Sequence, residues 1–382
     1  MADNPNAFKH AYSPDAVRSW AEVVASRVDA FDAEAFLAAA LPGLEALEMK
    51  ARVDRLAEAL HAATPLPFPA AVEALLAALG PAGSATDGDR WGPPDGGDGL
   101  TGFQVWPLTR FVARWGLPHR DASLAALAEM TRRFTAEFAL RPFLLDAPDE
   151  TLAVLRSWSR SRDQHLRRAA SEGTRPRLPW GLRLHPFVKD PAPVLELLAP
   201  LRDDPSSYVR RSVANNLNDI GKDHPQRLVE VAADWWSGSP RTKQLVKHAL
   251  RGLVKAGDPG ALRVLGFAVP ARVQVESFAI EREHVVLGEP VDVVARLRST
   301  AEAPQKLVVD YLLEMPGAGK RPRQKLWKGS TPTLGPGEAT ELHYTLRLKP
   351  VTTRTHRDGE HALELMVCGE SLGRVGFVVD AP

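Results

Sequence analysis

The 382-residue chain carries a single cysteine and no apolar run near the roughly 20 residues that span a bilayer. Cys368 has no partner for an internal disulfide, which fits a reducing compartment, and metal sites built on cysteine are excluded. His185, His224 and His248 lack metal-ligand spacing, so neither a metal nor another cofactor is expected. The opening stretch MADNPNAFKHAYSPDAV is polar and has no apolar core of a signal peptide, so a cytoplasmic protein without membrane contact is expected. Net charge is also small, at +1, and by itself points to no polyanionic partner.

The distribution of charge is more informative than its total. Residues 1–150 hold 13 Lys+Arg against 21 Asp+Glu, and residues 151–255 hold 19 against 10. Residues 256–382 balance at 16 each. A basic block between an acidic and a neutral one is the footprint of a nucleic-acid face, although a solvated surface has the same composition.

Apolar residues recur at three- and four-residue spacing through residues 15–62, with a break at Pro42-Gly43, and again in PAAVEALLAALG. The stretch from Gly80 to Gly102 is rich in Gly, Pro and Asp and reads as a long flexible loop; its Asp-Gly runs lack EF-hand spacing. From Trp106 to about Gly266 helix follows helix. Basic pairs at Arg132-Arg133, Arg167-Arg168 and Arg210-Arg211, with Lys247-His248 as a weaker fourth, recur at spacings near 40 residues. That period is the signature of HEAT-like repeats, whose stacking would put the basic pairs on one concave face.

Past Pro270 the period becomes two. RVQVESFAIE, PVDVVARLRS, QKLVVDYLLEM, ATELHYTLRL, HALELMVCG and GRVGFVVD alternate with Gly/Pro turns. Six or seven strands in this length predict an immunoglobulin-like β-sandwich. The expected fold is therefore an α-solenoid of HEAT-like repeats over residues 1–268, then a β-sandwich over 270–382. Pro316–Lys325 reads as a basic hairpin tip, with Lys320 and Arg321 able to touch phosphate or simply to be solvated.

Leu166–Trp180, LRRAASEGTRPRLPW, is the stretch the rest is arranged around. Its helix stops at Gly173, and Glu172 falls in the last turn, where the helix dipole disfavours a carboxylate. Glu137, Glu172 and Asn215 each lie five residues after the first arginine of a basic pair, and Asp219 lies one turn beyond Asn215. Acidic and basic groups thus form parallel columns, with Leu127, Met130, Phe134 and Phe138 as the apolar stripe of the first helix. A helix over Pro205–Ile220 buries Val209, Val213, Leu217 and Ile220 and turns Arg211, Asn215 and Asn218 outward. Glu137 and Glu172 could instead pair with Arg133 and Arg168 at i,i+4, Asp219 could cap the turn at Gly221, and Trp180 could pack under its loop. Arg167, Arg168, Arg175, Arg177, Arg210, Arg211, Lys243, Lys247 and Arg251, with Asn215 and Asn218, are the DNA-contact candidates; solvated helix faces are the alternative. No lysine falls within the acidic set, so Schiff-base lyase chemistry is not expected.

At SEGTRPRLPW, SVANNLNDIGKDHP and FTAEFALRPF the chain resembles the AlkC-type DNA alkylation repair glycosylases, members of the HEAT-like-repeat glycosylase superfamily. The resemblance is close over roughly Trp106–Gly257, and the β-rich tail fits an immunoglobulin-like domain carried by some members. It implies a monomeric hydrolase that excises cationic N3-alkylated bases, such as 3-methyladenine and 3-methylcytosine, from double-stranded DNA. Glu137, Glu172, Trp180 and Asp219 fall on the family's acidic and aromatic positions. Two other functions remain open on the residues alone: a non-catalytic DNA-binding scaffold and a protein-interaction scaffold.

Overall fold

The computed structural model describes residues 8–83, 99–317, 321–348 and 357–380. Most of the Gly-rich stretch 80–102, with its Asp-Gly runs, and Lys320 lie outside the described residues. Leu79 and Leu100, at the two ends of that stretch, form an isolated parallel bridge.

The helices of the first part are α1 (Pro14–Ala25), α2 (Ala33–Ala40), α3 (Met49–Ala63) and α4 (Phe68–Leu76). Next come α5 (Trp106–Trp115), α6 (Arg120–Thr131), α7 (Glu137–Asp146), α8 (Pro148–Trp158) and α9 (Gln164–Gly173). Then follow α10 (His185–Lys189), α11 (Ala192–Leu198), α12 (Ser207–Ile220), α13 (Pro225–Trp236) and α14 (Pro240–Ala249). The short α15 (Arg251–Lys255) and α16 (Pro259–Val264) close the helical part. Caps follow local chemistry: Ser13, Asp32, Asp163 and Asp258 each accept from a first-turn amide.

The chain gathers into two compact units, Met1–Asp223 with Gly238–Ala249, and His224–Ser237 with Leu250–Pro382. Helices α13, α15 and α16 thus belong with the strands, so packing does not divide where helix gives way to strand near residue 270. Within the first unit α3, α5, α7, α9, α12 and α14 pack in succession. This ordered column is what stacked helical repeats require. Its interior is apolar, with Leu140 and Phe143 of α7, Ala169 of α9 and Val209, Val213 and Leu217 of α12 buried. Three of the periodic basic pairs, Arg167-Arg168, Arg210-Arg211 and the weaker Lys247-His248, lie in this column, whereas Arg132-Arg133 follows the end of α6.

The second unit contains β1 (Val273–Ile280), β2 (His284–Val286), β3 (Pro290–Ser299), β4 (Gln305–Lys306) and β5 (Val309–Met315). It continues through β6 (Arg323–Ser330), β7 (Thr333–Leu334), β8 (Ala339–Arg347), β9 (Gly359–Val367) and β10 (Glu370–Asp380). One sheet runs β1-β3-β8, the other β2-β10-β9-β5-β6, and β4 pairs with β7. Alternation along β3 buries Val291, Val293, Ala295 and Leu297; Tyr311 and Leu313 of β5 and Leu363 and Leu365 of β9 join them in one core. The edge strand β6 begins at Arg323, so the expected basic hairpin tip is shorter than Pro316–Lys325. Its exposed, charged sequence RQKLWKGS hides the period-two signal.

Gly257, just after α15, and Gly369, between β9 and β10, meet back to back. Both are left-handed, at φ +73° and +88°, and a Cβ on either would lie 2.5–2.7 Å from the other's Cα. Gly369→Ala combines that clash with a backbone region costly to any L side chain. It should destabilise the protein by about 1–3 kcal/mol, read as a lower thermal unfolding midpoint; an unchanged midpoint would mean that the contact is loose.

Candidate active site

Helices α7, α9 and α12 each bring one carboxylate to the same cluster, and each acid sits near a helix end. Glu137 opens α7, where unpaired amides and the dipole favour a negative charge. The single helix expected over Leu127–Phe138 is broken, because α6 ends at Thr131 and Phe134 leaves it to pack against Trp106 and Phe103. Arg133 and Glu137 are therefore not one turn apart. Arg133 donates to the Gly80 carbonyl and pairs with Glu129, while Glu137 Oε2 receives Arg168 Nη1 from α9 at 3.0 Å.

Glu172 lies at the opposite kind of end, the last turn of α9, and is held by donors that outweigh the dipole. Its Oε1 accepts from Arg175 Nη1 at 2.6 Å and lies 3.7 Å from Arg168 Nη2; its Oε2 accepts from the Ser212 hydroxyl at 2.6 Å. Asp219, in the last turn of α12, accepts from Arg175 Nε and Lys222 Nζ, each at 2.8 Å. The result is an unbroken series, Glu137–Arg168–Glu172–Arg175–Asp219, in which each guanidinium is shared by two acids. All three acids are buried, at 5%, 5% and 2% exposure in that order. The capping role considered for Asp219 is not what its side chain does. Lys222 does touch the acidic set, against expectation, through its bond to Asp219.

The two glutamates are driven apart electrostatically. Burial pushes the Glu137 carboxyl up, Arg168 lowers it only in part, and nearby Glu172 raises it again. Burial also acts upward on Glu172, but Arg168, Arg175 and the Ser212 hydroxyl together bring it below its ordinary value. Glu172 therefore adds stability that is complete above the ordinary carboxylate value of about 4.3 and is lost as pH falls through its folded value. Glu137 has the opposite sign: its ionisation costs stability as pH rises from that ordinary value through its raised one.

Beside the acids, Thr174–Leu184 forms a loop whose framework is an arginine that sequence reasoning missed. Arg141 of α7 is wholly buried and donates from Nη1 to the Gly173 and Arg175 carbonyls, each at 2.9 Å, and from Nε to the Leu182 carbonyl. Burial, and then Arg175, lowers its pKa to about 10. Gly173 is the last helical residue, and its lack of a side chain serves packing: a Cβ there would meet Leu140 Cδ1 at 2.8 Å. The loop carries Trp180 out to solvent at 59% exposure in a left-handed conformation, φ 65°. Its carbonyl accepts from Lys50 Nζ at 2.8 Å. Exposed and in a backbone region disfavoured for an L residue, Trp180 does not pack under its loop.

The expected DNA-contact residues are divided. Arg168 and Arg175 are spent on the acids. Arg167 grips Asp204 with Nε at 2.6 Å and Nη2 at 3.0 Å, and Arg177 grips Asp223 with both nitrogens. Arg210 donates to the Asp204 and Pro205 carbonyls. Asn218 donates to the Ala249 carbonyl and Asn215 meets His248, which ties α12 to α14. Arg211, Lys243 and Lys247 are exposed in the same unit, whereas Arg251 and exposed Arg321 lie in the other. Asn216 was also missed: wholly buried, it donates to the Ser171 carbonyl and Thr174 Oγ1, pinning α12 to α9. The signals for these residues were the i, i+4, i+7 spacing of Ser212, Asn216 and Asp219, and an arginine set among apolar residues in FALRPFLL. Among the described residues no group of His, Cys, Asp and Glu is arranged to hold a metal ion, and no helix is long and apolar enough to cross a membrane.

Arg175→Met removes the guanidinium that Glu172 and Asp219 share, and breaking a buried pair from one side costs up to about 3–5 kcal/mol. The deficit against wild type should be largest near neutral pH and shrink toward pH 5, because Glu172 then titrates at a higher value and can take up a proton when folded. Urea midpoints at the two pH values measure this, and a pH-independent deficit would contradict it.

Residues 119–242 match the family described as DNA alkylation repair enzyme, and residues 274–381 match the C-terminal Ig-like domain described for the uncharacterised protein YhaZ. YhaZ of Bacillus subtilis (strain 168) is 38% identical over 269 residues, spanning 70% of this chain and 75% of that protein. The solved alkylpurine DNA glycosylase AlkC of Pseudomonas fluorescens, bound to DNA containing an abasic site analog, is 35% identical. That similarity covers 98% of this chain and all of AlkC, with a TM-score of 0.86. On these matches the chain belongs to the AlkC family of DNA alkylation repair glycosylases.

Proposed function

We propose that the chain hydrolyses the N-glycosidic bond of cationic N3-alkylated bases, 3-methyladenine and 3-methylcytosine, in double-stranded DNA, as a monomer without metal or cofactor. The observation that carries this reading is the buried series of three carboxylates and two shared guanidiniums beside the exposed Trp180. An N3-alkylated base already bears positive charge and leaves as a neutral group, so little protonation is needed. The enzyme's work is to stabilise the oxocarbenium-like sugar and to place a water, and preoriented carboxylates suit both tasks. Glu172 is the principal electrostatic stabiliser, because two guanidiniums and the Ser212 hydroxyl hold it ionised whereas burial raises Glu137. Glu137, with its raised pKa, is the member suited to accept a proton from water near neutral pH. Asp219 keeps Arg175 in place and adds negative potential. Trp180 offers its electron-rich face to the cation. Lys222 is engaged by Asp219 and is given no covalent part in the reaction.

We assign DNA contact to the exposed Arg211, Lys243 and Lys247 of the first unit and to Arg251 and exposed Arg321 of the second, with Lys320 on the sequence alone. Arg168 and Arg175 we assign to the acids rather than to phosphate.

Glu172→Gln should lower base release from methylated DNA by at least about 100-fold, the scale of removing one preoriented transition-state group. DNA affinity should hold; the unfolding midpoint should fall, because Arg168 and Arg175 lose a charged partner, while the protein stays folded at the assay temperature. Chromatographic detection of free 3-methyladenine, or of 3-methylcytosine from a defined oligonucleotide, measures it. Release at the wild-type rate would remove Glu172 from the mechanism, and no release by folded wild-type protein would leave a DNA-binding scaffold. Release by wild type should also fall as pH drops through the raised Glu137 value, and Glu137→Gln should abolish that acid limb, leaving a slow and flat pH profile.

A further inference from the structure

The ionised Glu172 carboxylate can only accept hydrogen bonds, and its two oxygens are treated differently. Oε1 faces two guanidiniums, Arg175 at 2.6 Å and Arg168 at 3.7 Å. Oε2 accepts instead from a neutral group, the Ser212 hydroxyl at 2.6 Å. Ser212 is buried on α12 and lies 3.0 Å from the Ser171 hydroxyl. A serine has one proton to give. The Ser212 hydroxyl is in donor reach of both Ser171 Oγ and Glu172 Oε2, and the ionised carboxylate is the stronger acceptor at the shorter distance, so the proton goes to Oε2.

We propose that Ser212 is a positioning residue for glycosidic cleavage, holding Glu172 Oε2 in a single orientation and ionised without adding a counter-charge. A third guanidinium at Oε2 would also keep the carboxylate ionised, yet it would offset the negative potential that a cationic sugar needs. A neutral hydroxyl does not. The other charged groups around Glu172 are Glu137 of α7, Arg168 of its own helix, Arg175 of the following loop, and Asp219 of α12 through Arg175. Arg141 of α7 also acts on it through space. None of them replaces the donor at Oε2.

The inference rests on the proposed glycosylase activity, and the test separates the two. Single-turnover base release from 3-methylcytosine-containing duplex is measured at saturating protein for wild type, Ser212→Ala and Ser171→Ala, with DNA affinity and the urea midpoint for each. Ser212→Ala should react about tenfold more slowly, the scale of one charge-assisted hydrogen bond, at unchanged affinity. Ser171→Ala, which keeps the bond to Oε2, should stay within about twofold of wild type, a change too small for the loss of such a bond. A Ser212→Ala rate equal to wild type overturns the inference. So does an equal fall in both variants that tracks a lowered urea midpoint, which would make the hydroxyls a packing feature. Wild-type protein that releases no base overturns the glycosylase reading and this inference with it.

Discussion

A carboxylate taken out of water costs several kilocalories per mole unless donors replace its hydration, and this chain buries three of them in one cluster. The first unit depends on how that cost is met. Two guanidiniums are each shared between two acids, so every acid reaches a counter-ion although there is one carboxylate more than these arginines balance. Sharing forces α7, α9 and α12 into a fixed mutual arrangement, because Arg168 spans α9 to α7 and Arg175 spans the loop to α12. The apolar faces of the same helices supply the cohesion. The ionic series sets where along their length they meet.

Arg141 extends this constraint from charge to backbone. It stands one helical turn after Glu137, so the helix that presents one acid also holds three carbonyls of the Gly173–Leu182 segment. That segment could not otherwise keep an exposed tryptophan in a left-handed conformation, since burial of the side chain does not compensate the strain. Any shift of α7 would move Glu137 and the Trp180 loop together. Glu137 and the Trp180 loop thus rest on one element, which is how precision is obtained at a site built partly on a loop.

The change from period 3.6 to period two, and the repeated basic pairs, make the order of helices and strands legible in the residues alone. Glu172 stands out there for a physical reason: a carboxylate at a helix C-terminus is uphill unless something nearby corrects it. Which charges neutralise one another is not legible in the same way. A count over residues 151–255 treats each arginine as available, whereas Arg167, Arg168, Arg175 and Arg177 are engaged by Asp204, Glu137 with Glu172, Asp219 with Glu172, and Asp223. The partners lie 31 to 46 residues away in all but the Glu172 pairings, so only stacking reveals them. The break between α6 and α7 is hidden because Thr131–Ala136 has neither glycine nor proline. Ser212 and Asn216 are hidden because polar side chains on a helix read as surface until a neighbour covers them.

The same pairing bears on the chemistry. Glu172 and Asp219 both sit in last helical turns, where the macrodipoles of α9 and α12 add negative potential to that of the acids. A site meant to bind a phosphate would use the opposite helix ends; one meant for a cation would use these. The arginines must then satisfy two conflicting demands. Too few would let burial drive the acids neutral, and too many would cancel the field that favours positive charge on a sugar. Two shared guanidiniums, with Lys222 on Asp219 and one neutral hydroxyl on Glu172, meet both. The depressed pKa of Glu172 beside the raised one of Glu137 is the electrostatic consequence, and it is what the proposed division of labour between the two acids rests on.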